Sequence, residues 1–286
     1  MSEAPPGRPA ALRVRSLEPF GAAVEGLDLR TPLAPERLDE IGALAHRHGI
    51  LLFRDQALDE EEQIAFSRGL GALEHHPEKL KQQATHPEIF DLSNVREDGR
   101  LEDPLGTATE RWHTDSSYRA IPCRFSILYA VEVPAQGGDT ELADTRDAWD
   151  RLPADRRARL EGLRVVHSYR HSSPEAWESM SEAERAAVPP VEHPLARRLA
   201  DGRRGLYLGS HASHVVGLSL DEGRALLEAL LAHATDPAHV YRHRWRPGDL
   251  LIWDNRVTLH RRLSYRRDVD RRVMRRTTVC GTEAPW

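Results

Sequence analysis

Cysteine and lysine are nearly absent. Cys123 and Cys280 are the only thiols among 286 residues. That excludes a disulfide framework and makes a reducing, cytoplasmic setting the expectation. Lys79 and Lys81 are the only lysines, so almost all positive charge is arginine. No apolar run approaches the roughly 18 residues that cross a bilayer, so no membrane partner is expected. Met1 to Gly7 holds no basic-then-apolar leader. Basic charge is not in excess either: the formal net charge is −5, which gives no general attraction to nucleic acid. Repeats and long low-complexity linkers are missing as well.

What is present reads as a soluble globular chain, 40% hydrophobic and 30% charged. A Pro/Gly/Ala-rich tail over 1–11 is expected to be disordered, with one domain over 12–286. Extended pieces are expected at Leu12–Val14 and Ala22–Val24. The spacing of Leu38, Ile41 and Leu44 predicts a helix over Ala34–His48, stopped by Gly49. Ile50–Phe53 reads as a buried strand. Asp59 with Glu62 forms the pattern of a capping box opening a second helix through Leu70.

The stretch 75–110 is polar and irregular apart from Ile89–Val95, and 171–190 is similar; both read as lid-like inserts. Short strands are expected at Phe125–Val133, Thr140–Leu142, Leu163–Tyr169, Gly205–Leu208, Val240–Trp245, Asp249–Trp253 and Val273–Cys280. One helix interrupts them, opened by Ser219 and Glu222, with Leu226, Leu227, Leu230 and Leu231 as its buried face. The fold class expected is mainly β with flanking helices, as a sandwich or jelly roll.

Fifteen histidines raise the prior for a metal site. In Trp112-His113-Thr114-Asp115, a strand would point His113 and Asp115 to one face. They could share a metal ion, with His260 as the best candidate for a third ligand. Two histidines and one aspartate leave adjacent positions open, as non-haem iron(II) oxygenases require for a bidentate cosubstrate and O2. A lone His-x-Asp is also common by chance.

Alternation in the last strand places Arg272, Met274 and Arg276 on one face. Guanidiniums turned inward are costly unless carboxylates wait there, and arginine grips carboxylates through a planar fork. A solvated basic edge strand is the alternative. Gly137-Gly138-Asp139-Thr140 opens a strand whose hydroxyl could add a hydrogen bond to such a carboxylate; an ordinary hairpin turn is the alternative there.

These motifs, in this order, resemble the taurine dioxygenase family of iron(II)/2-oxoglutarate-dependent oxygenases over residues 12 to 281. Ser93-Asn94-Val95, Trp112 to Tyr118, the segment Gly209 to His214, and Tyr241 to Trp245 look most like its members acting on 2,4-dichlorophenoxyacetate. The resemblance implies a double-stranded β-helix (a jelly roll of the clavaminate synthase-like kind), with iron(II), 2-oxoglutarate and O2 as reactants. His113, Asp115 and His260 would be the iron ligands, and Thr140 and Arg272 would hold 2-oxoglutarate. Arg276, Lys79, Ser117, His211 and His214 would bind a small anionic substrate, and a homo-oligomer would be in keeping with relatives.

The reaction implied is hydroxylation of a C–H beside an ether oxygen of an aryloxyacetate. Its products would be a phenol, glyoxylate, succinate and CO2. The spacing from His260 to the arginine pair is one residue longer than usual in the family. Thr109 stands where taurine enzymes have Asn, which argues against taurine; His76 keeps sulfonates and sulfate esters open. Within the family, a natural-product hydroxylase is a further alternative. Outside it, the same ligands could serve a zinc hydrolase or a non-catalytic cupin-like binding protein.

Overall fold

In a computed structural model, which describes residues 11–75, 85–96, 98–102 and 106–286, the most apolar runs form the middle of the largest sheet. Ile50–Phe53 and Leu250–Asp254 are buried at every position and pair antiparallel. Around them the strand order is Arg13–Ser16, Ala22–Glu25, Ile50–Phe53, Leu250–Asp254, Phe125–Glu132, Val273–Val279 and Phe90–Asp91. Successive side chains of a strand point to opposite faces, and both faces of this sheet are covered.

On one face, Leu51, Phe53, Ile127, Tyr129, Leu250 and Ile252 pack against Ile41, Ala45, Phe66 and Leu70. These last four belong to the helix Pro35–His48, or to Glu60–Gly69 and its C-terminal end. Gly49, at φ 77°, ends the first helix, and Asp59 with Glu62 caps the second reciprocally. On the other face, Ile50, Leu52, Leu128, Leu251, Trp253 and Met274 meet Leu142, Tyr241 and Trp245. Leu142 and Tyr241 lie in a second sheet, ordered Val240–His243, Thr140–Asp144, Thr258–Arg262. The space between these two sheets holds the site.

A third core, including Trp149, Val165, Leu195, Leu227 and Leu230, lies under the helix Leu220–Ala234. It joins that helix to the sheet Ala212–Val215, Arg164–His167, Val191–Pro194. Ser219 and Glu222 cap the helix as expected, and Leu226 and Leu231 flank the core half-buried.

Eight α-helices occur among the described residues, beside four sheets. The architecture is therefore mixed α/β, richer in helix than the mainly β fold expected. The excess lies where the chain is polar. The stretch 171–190 is not irregular: it carries Tyr169–Ser172, Pro174–Ser179 and Glu182–Ala186, opened by Ser168, by Pro174 at the first turn and by a Ser181–Glu184 capping box. Helices this short bury no stripe of their own, so no 3.6-residue apolar period marks them. Thr145–Asp150, capped by Asp144, and Ala154–Leu160 do bury residues in the third core, Ala148, Trp149 and Leu160 among them, but are too short for a repeating 3.6-residue period to show. Of Ile89–Val95 only Phe90–Asp91 pairs as a strand, with an isolated bridge from Val95 to Leu101. No helix among the described residues is long and apolar enough to cross a membrane. Most of the expected tail, together with His76 and Lys79, lies outside the described residues.

Candidate metal centre and its two cavities

His113 and His260 are brought together by backbone pairing. His113 N donates to His260 O at 3.0 Å, and His260 N donates to His113 O at 2.8 Å. His260 sits in the strand Thr258–Arg262, whose alternation sends Leu259 into the third core and turns His260 and Arg262 to the interior. His113 belongs to no strand beyond this bridge. The chain turns directly after it, with Ser116 at φ 56°, so Asp115 reaches the centre from a turn and not by strand alternation. His113 Nε2 lies 3.7 Å from Asp115 Oδ1, and His260 Nε2 lies 3.6 Å from Asp115 Oδ2. One ligand atom from each of the three falls within 4.8 Å of the others.

The protonation states suit a cation. His113 Nδ1 is 2.8 Å from the carbonyl oxygen of Arg111, which can only accept, so Nδ1 carries the hydrogen and Nε2 keeps its lone pair. Burial holds His113 below and His260 well below the ordinary imidazole value, leaving both rings neutral near pH 7. Burial alone would raise the Asp115 carboxyl. The Arg276 guanidinium, 2.9 Å away, with the hydrogen bond from Ser126, outweighs it and holds Asp115 well below the usual carboxylate range.

Asn255 organises the surroundings and was not singled out from the sequence. Its Oδ1 accepts from Asp115 N (3.2 Å) and Trp253 Nε1 (3.1 Å), and its Nδ2 donates to Ser126 Oγ (2.9 Å). Ser126 Oγ then donates to Asp115 Oδ2 at 2.6 Å. Thr114 Oγ1 donates to Asn255 O at 2.7 Å. The available signal was the motif Trp253-Asp254-Asn255-Arg256, unusually polar for the end of a core strand and shortly before His260. Two neutral imidazoles and one anionic carboxylate, the latter oriented from behind, make a donor set that fits a divalent transition metal with open positions.

Two cavities meet at these ligands. The smaller, about 40 Å³, is lined by Thr140, Arg272, Leu128, Trp253, His113 and His260 among others. Arg272 is 2% exposed and Thr140 is 3% exposed, so the inward-arginine reading holds over the solvated edge strand. Thr140 Oγ1 accepts from Trp245 Nε1 at 3.0 Å, which leaves the hydroxyl hydrogen free to donate into the cavity. Gly137 and Gly138 make the approach to Thr140 possible. Both have positive φ, and a Cβ at Gly137 would lie 2.5 Å from Ser264 O. Asn94 ties down the loop before Arg272: it bonds to the carbonyls of Arg267 and Asp270 and accepts from Arg272 N.

The larger cavity, about 210 Å³, has Phe90, Tyr118, Tyr169 and His211 in its wall, with Glu74, Arg111, Arg119 and Arg276 among its charged groups. Arg276 and His113 border both cavities. Arg275, next in sequence, faces the opposite way, over the Tyr129 ring.

Two expected substrate contacts are corrected. Ser117 is buried behind the wall with its Oγ 3.1 Å from His167 Nδ1; the turn at Ser116 rotates Ser116, and not Ser117, toward the chamber. His214 sits in the strand Ala212–Val215, its Nδ1 2.8 Å from Ser213 Oγ, and does not line the chamber. His211 does line it, with Nδ1 2.7 Å from Ser172 Oγ, and burial pushes its pKa down to about 3. Lys79 falls outside the described residues.

The family described as "Taurine catabolism dioxygenase TauD, TfdA family" matches residues 13–278, and the chain belongs to it. Among its relatives, the alpha-ketoglutarate-dependent 2,4-dichlorophenoxyacetate dioxygenase of Cupriavidus pinatubonensis is 44% identical over 271 residues, 91% of this chain and 94% of that protein. Pentalenolactone F synthase of Streptomyces arenae is 34% identical over 94% of this chain and 95% of its own. The crystal structure of AAD-2 in complex with Mn(II) and N-oxalylglycine superposes with a TM-score of 0.86 at 36% identity, covering 97% of this chain and 99% of that one.

Proposed function

We propose that the protein is an iron(II)- and 2-oxoglutarate-dependent dioxygenase that hydroxylates the carbon beside the ether oxygen of an aryloxyacetate or aryloxyalkanoate. The products would be a phenol, glyoxylate or its homologue, succinate and CO2. The observation that carries this reading is the division of space at the His113–Asp115–His260 cluster: a narrow cavity with Thr140 and Arg272 on one side, an aromatic-walled chamber with Arg276 on the other. Iron(II) with 2-oxoglutarate and O2 supplies the oxidising power for C–H hydroxylation.

The protein's own contribution is placement. His113, Asp115 and His260 hold the metal. Thr140 donates its hydroxyl hydrogen, and Arg272 its guanidinium fork, to the far carboxylate of 2-oxoglutarate. Arg276 faces the substrate's carboxylate and so fixes which C–H lies nearest the metal. His211, Tyr118, Tyr169 and Phe90 flank the aromatic ring. Tyr169, Ser172, Met180 and Val188, in or beside the short helices of 169–186, close the chamber as a lid and exclude water. The scaffold is read as one double-stranded β-helix domain over 12–286, with the two facing sheets as its barrel. A zinc hydrolase would leave the Thr140–Arg272 cavity without purpose.

The test is a substrate panel with added ferrous iron, read as succinate formation. Aryloxyalkanoates should be turned over well above cinnamates, alkyl sulfates and sulfonates. Efficient coupling to a sulfate ester or sulfonate, with none to aryloxyacetates, overturns the substrate assignment. O2 uptake without any 2-oxoglutarate requirement overturns the reaction class.

A further inference from the structure

Glu74 is a charged group in the substrate chamber that the scheme above leaves without a task. Its backbone N donates to Thr278 O at 2.8 Å, which pins it beside the last strand. The residue is 8% exposed, and it lines the chamber. Among the described residues its carboxylate accepts from one donor, Ser116 Oγ, at 3.3 Å to Oε1 and 3.2 Å to Oε2. Burial pushes the carboxyl up, against the pull of Arg119 and Ser116. A carboxylate offers about four lone-pair sites, so Glu74, on the chamber wall, keeps capacity for a further donor beside Ser116. A bound halogenated ring would displace water from that group and offer no donor in return, and an unmet buried carboxyl is costly. A ring hydroxyl or amino group would satisfy it.

From this juxtaposition of a hydrogen-bonding carboxyl with the aromatic wall of Tyr118, Tyr169 and Phe90, we propose that Glu74 is a specificity-determining residue. It selects substrates whose aromatic ring carries a hydroxyl or amino donor over halogenated rings of the same size. The inference rests on the aryloxyacetate reading and narrows it to hydroxylated or aminated aryl ethers. A purely structural role, in which Glu74 only steadies the turn at Ser116, would affect all substrates alike.

The experiment loads the protein with Mn(II) and N-oxalylglycine and measures binding of the 2-, 3- and 4-hydroxyphenoxyacetates and the matching chlorophenoxyacetates. Turnover with iron and 2-oxoglutarate is followed in parallel as succinate. The best hydroxy isomer should bind at least about tenfold more tightly than the best chloro isomer, because a site built around a hydrogen bond rejects the analogue lacking it. Glu74→Leu should bring that ratio to within about twofold of unity, and Glu74→Gln, which keeps an acceptor and gains a donor, should preserve most of it. Chloro isomers binding as tightly as hydroxy isomers to the unaltered protein would overturn the proposal, as would a ratio that survives Glu74→Leu. Binding and turnover of no aryloxyacetate at all would overturn the underlying reading as well, which separates the two failures.

Discussion

Arg272→Ala tests the cosubstrate cavity most directly. Arg272 is 2% exposed, and it lines the same small cavity as Thr140, beside His113 and His260. Truncating one partner of a buried charged pair costs about 3–5 kcal/mol. Thr140 keeps its own hydrogen bond, so the lower end applies. At about 1.4 kcal/mol per decade, the apparent KM for 2-oxoglutarate should rise roughly 100-fold. Arg272→Lys keeps the charge and loses the two-pronged fork, so it should fall between, near tenfold by the same conversion. The assay is succinate formation against 2-oxoglutarate concentration at saturating iron, beside a separate titration of metal binding. Metal affinity should stay near that of the unaltered protein, since no nitrogen of Arg272 is among the three ligands. Unchanged affinity for 2-oxoglutarate in Arg272→Ala would refute the assignment. Loss of metal binding together with cosubstrate binding would point to collapse of the site instead.

Three further outcomes are expected. His113→Ala or Asp115→Ala should abolish both bound iron, read by metal analysis, and turnover. Asn255→Ala removes the amide that links Asp115 N, Trp253 and Ser126; losing such a supporting contact should weaken metal affinity about 10–100-fold, measured by competition with a chelator. His193 donates its Nε2 hydrogen toward the carbonyls of Ser117 (2.9 Å) and Arg119 (3.0 Å), and burial pushes its pKa from the ordinary 6.5 down to about 4. Below pH 6.5 the unfolded chain therefore takes up a proton that the folded protein refuses until about pH 4. The stability contribution is full above pH 6.5 and is lost as pH falls through that window, with a slope of up to about 1.4 kcal/mol per pH unit. His193→Gln keeps a donor and does not titrate, so urea unfolding across pH should show a shallower acid slope; an unchanged slope would rule His193 out.

The capping boxes at Asp59 and Ser219, the strand Ile50–Phe53 and the stop at Gly49 were legible because each depends on neighbours within a few residues. The same holds for Met274 and Arg276, which strand alternation puts on one face; Arg272 precedes the strand Val273–Val279, across a register shift at Val273/Met274, and its burial is set by the surrounding fold. His113, Asp115 and His260 could be nominated from the chain, since few side chains offer metal-binding atoms. How they meet could not: the link is one reciprocal backbone pair between positions 113 and 260 and a turn at Ser116. That turn also decided that Ser116 and not Ser117 reaches the chamber. The short helices of 169–186 carry no apolar period, because their cover comes from the rest of the fold. Residue types and local periodicity thus determined the chemistry on offer and most strands. Which groups share a cavity, Glu74 with Tyr118 or Thr140 with Arg272, was decided only by packing of distant segments, since pairings between residues far apart in the chain leave no trace in local spacing.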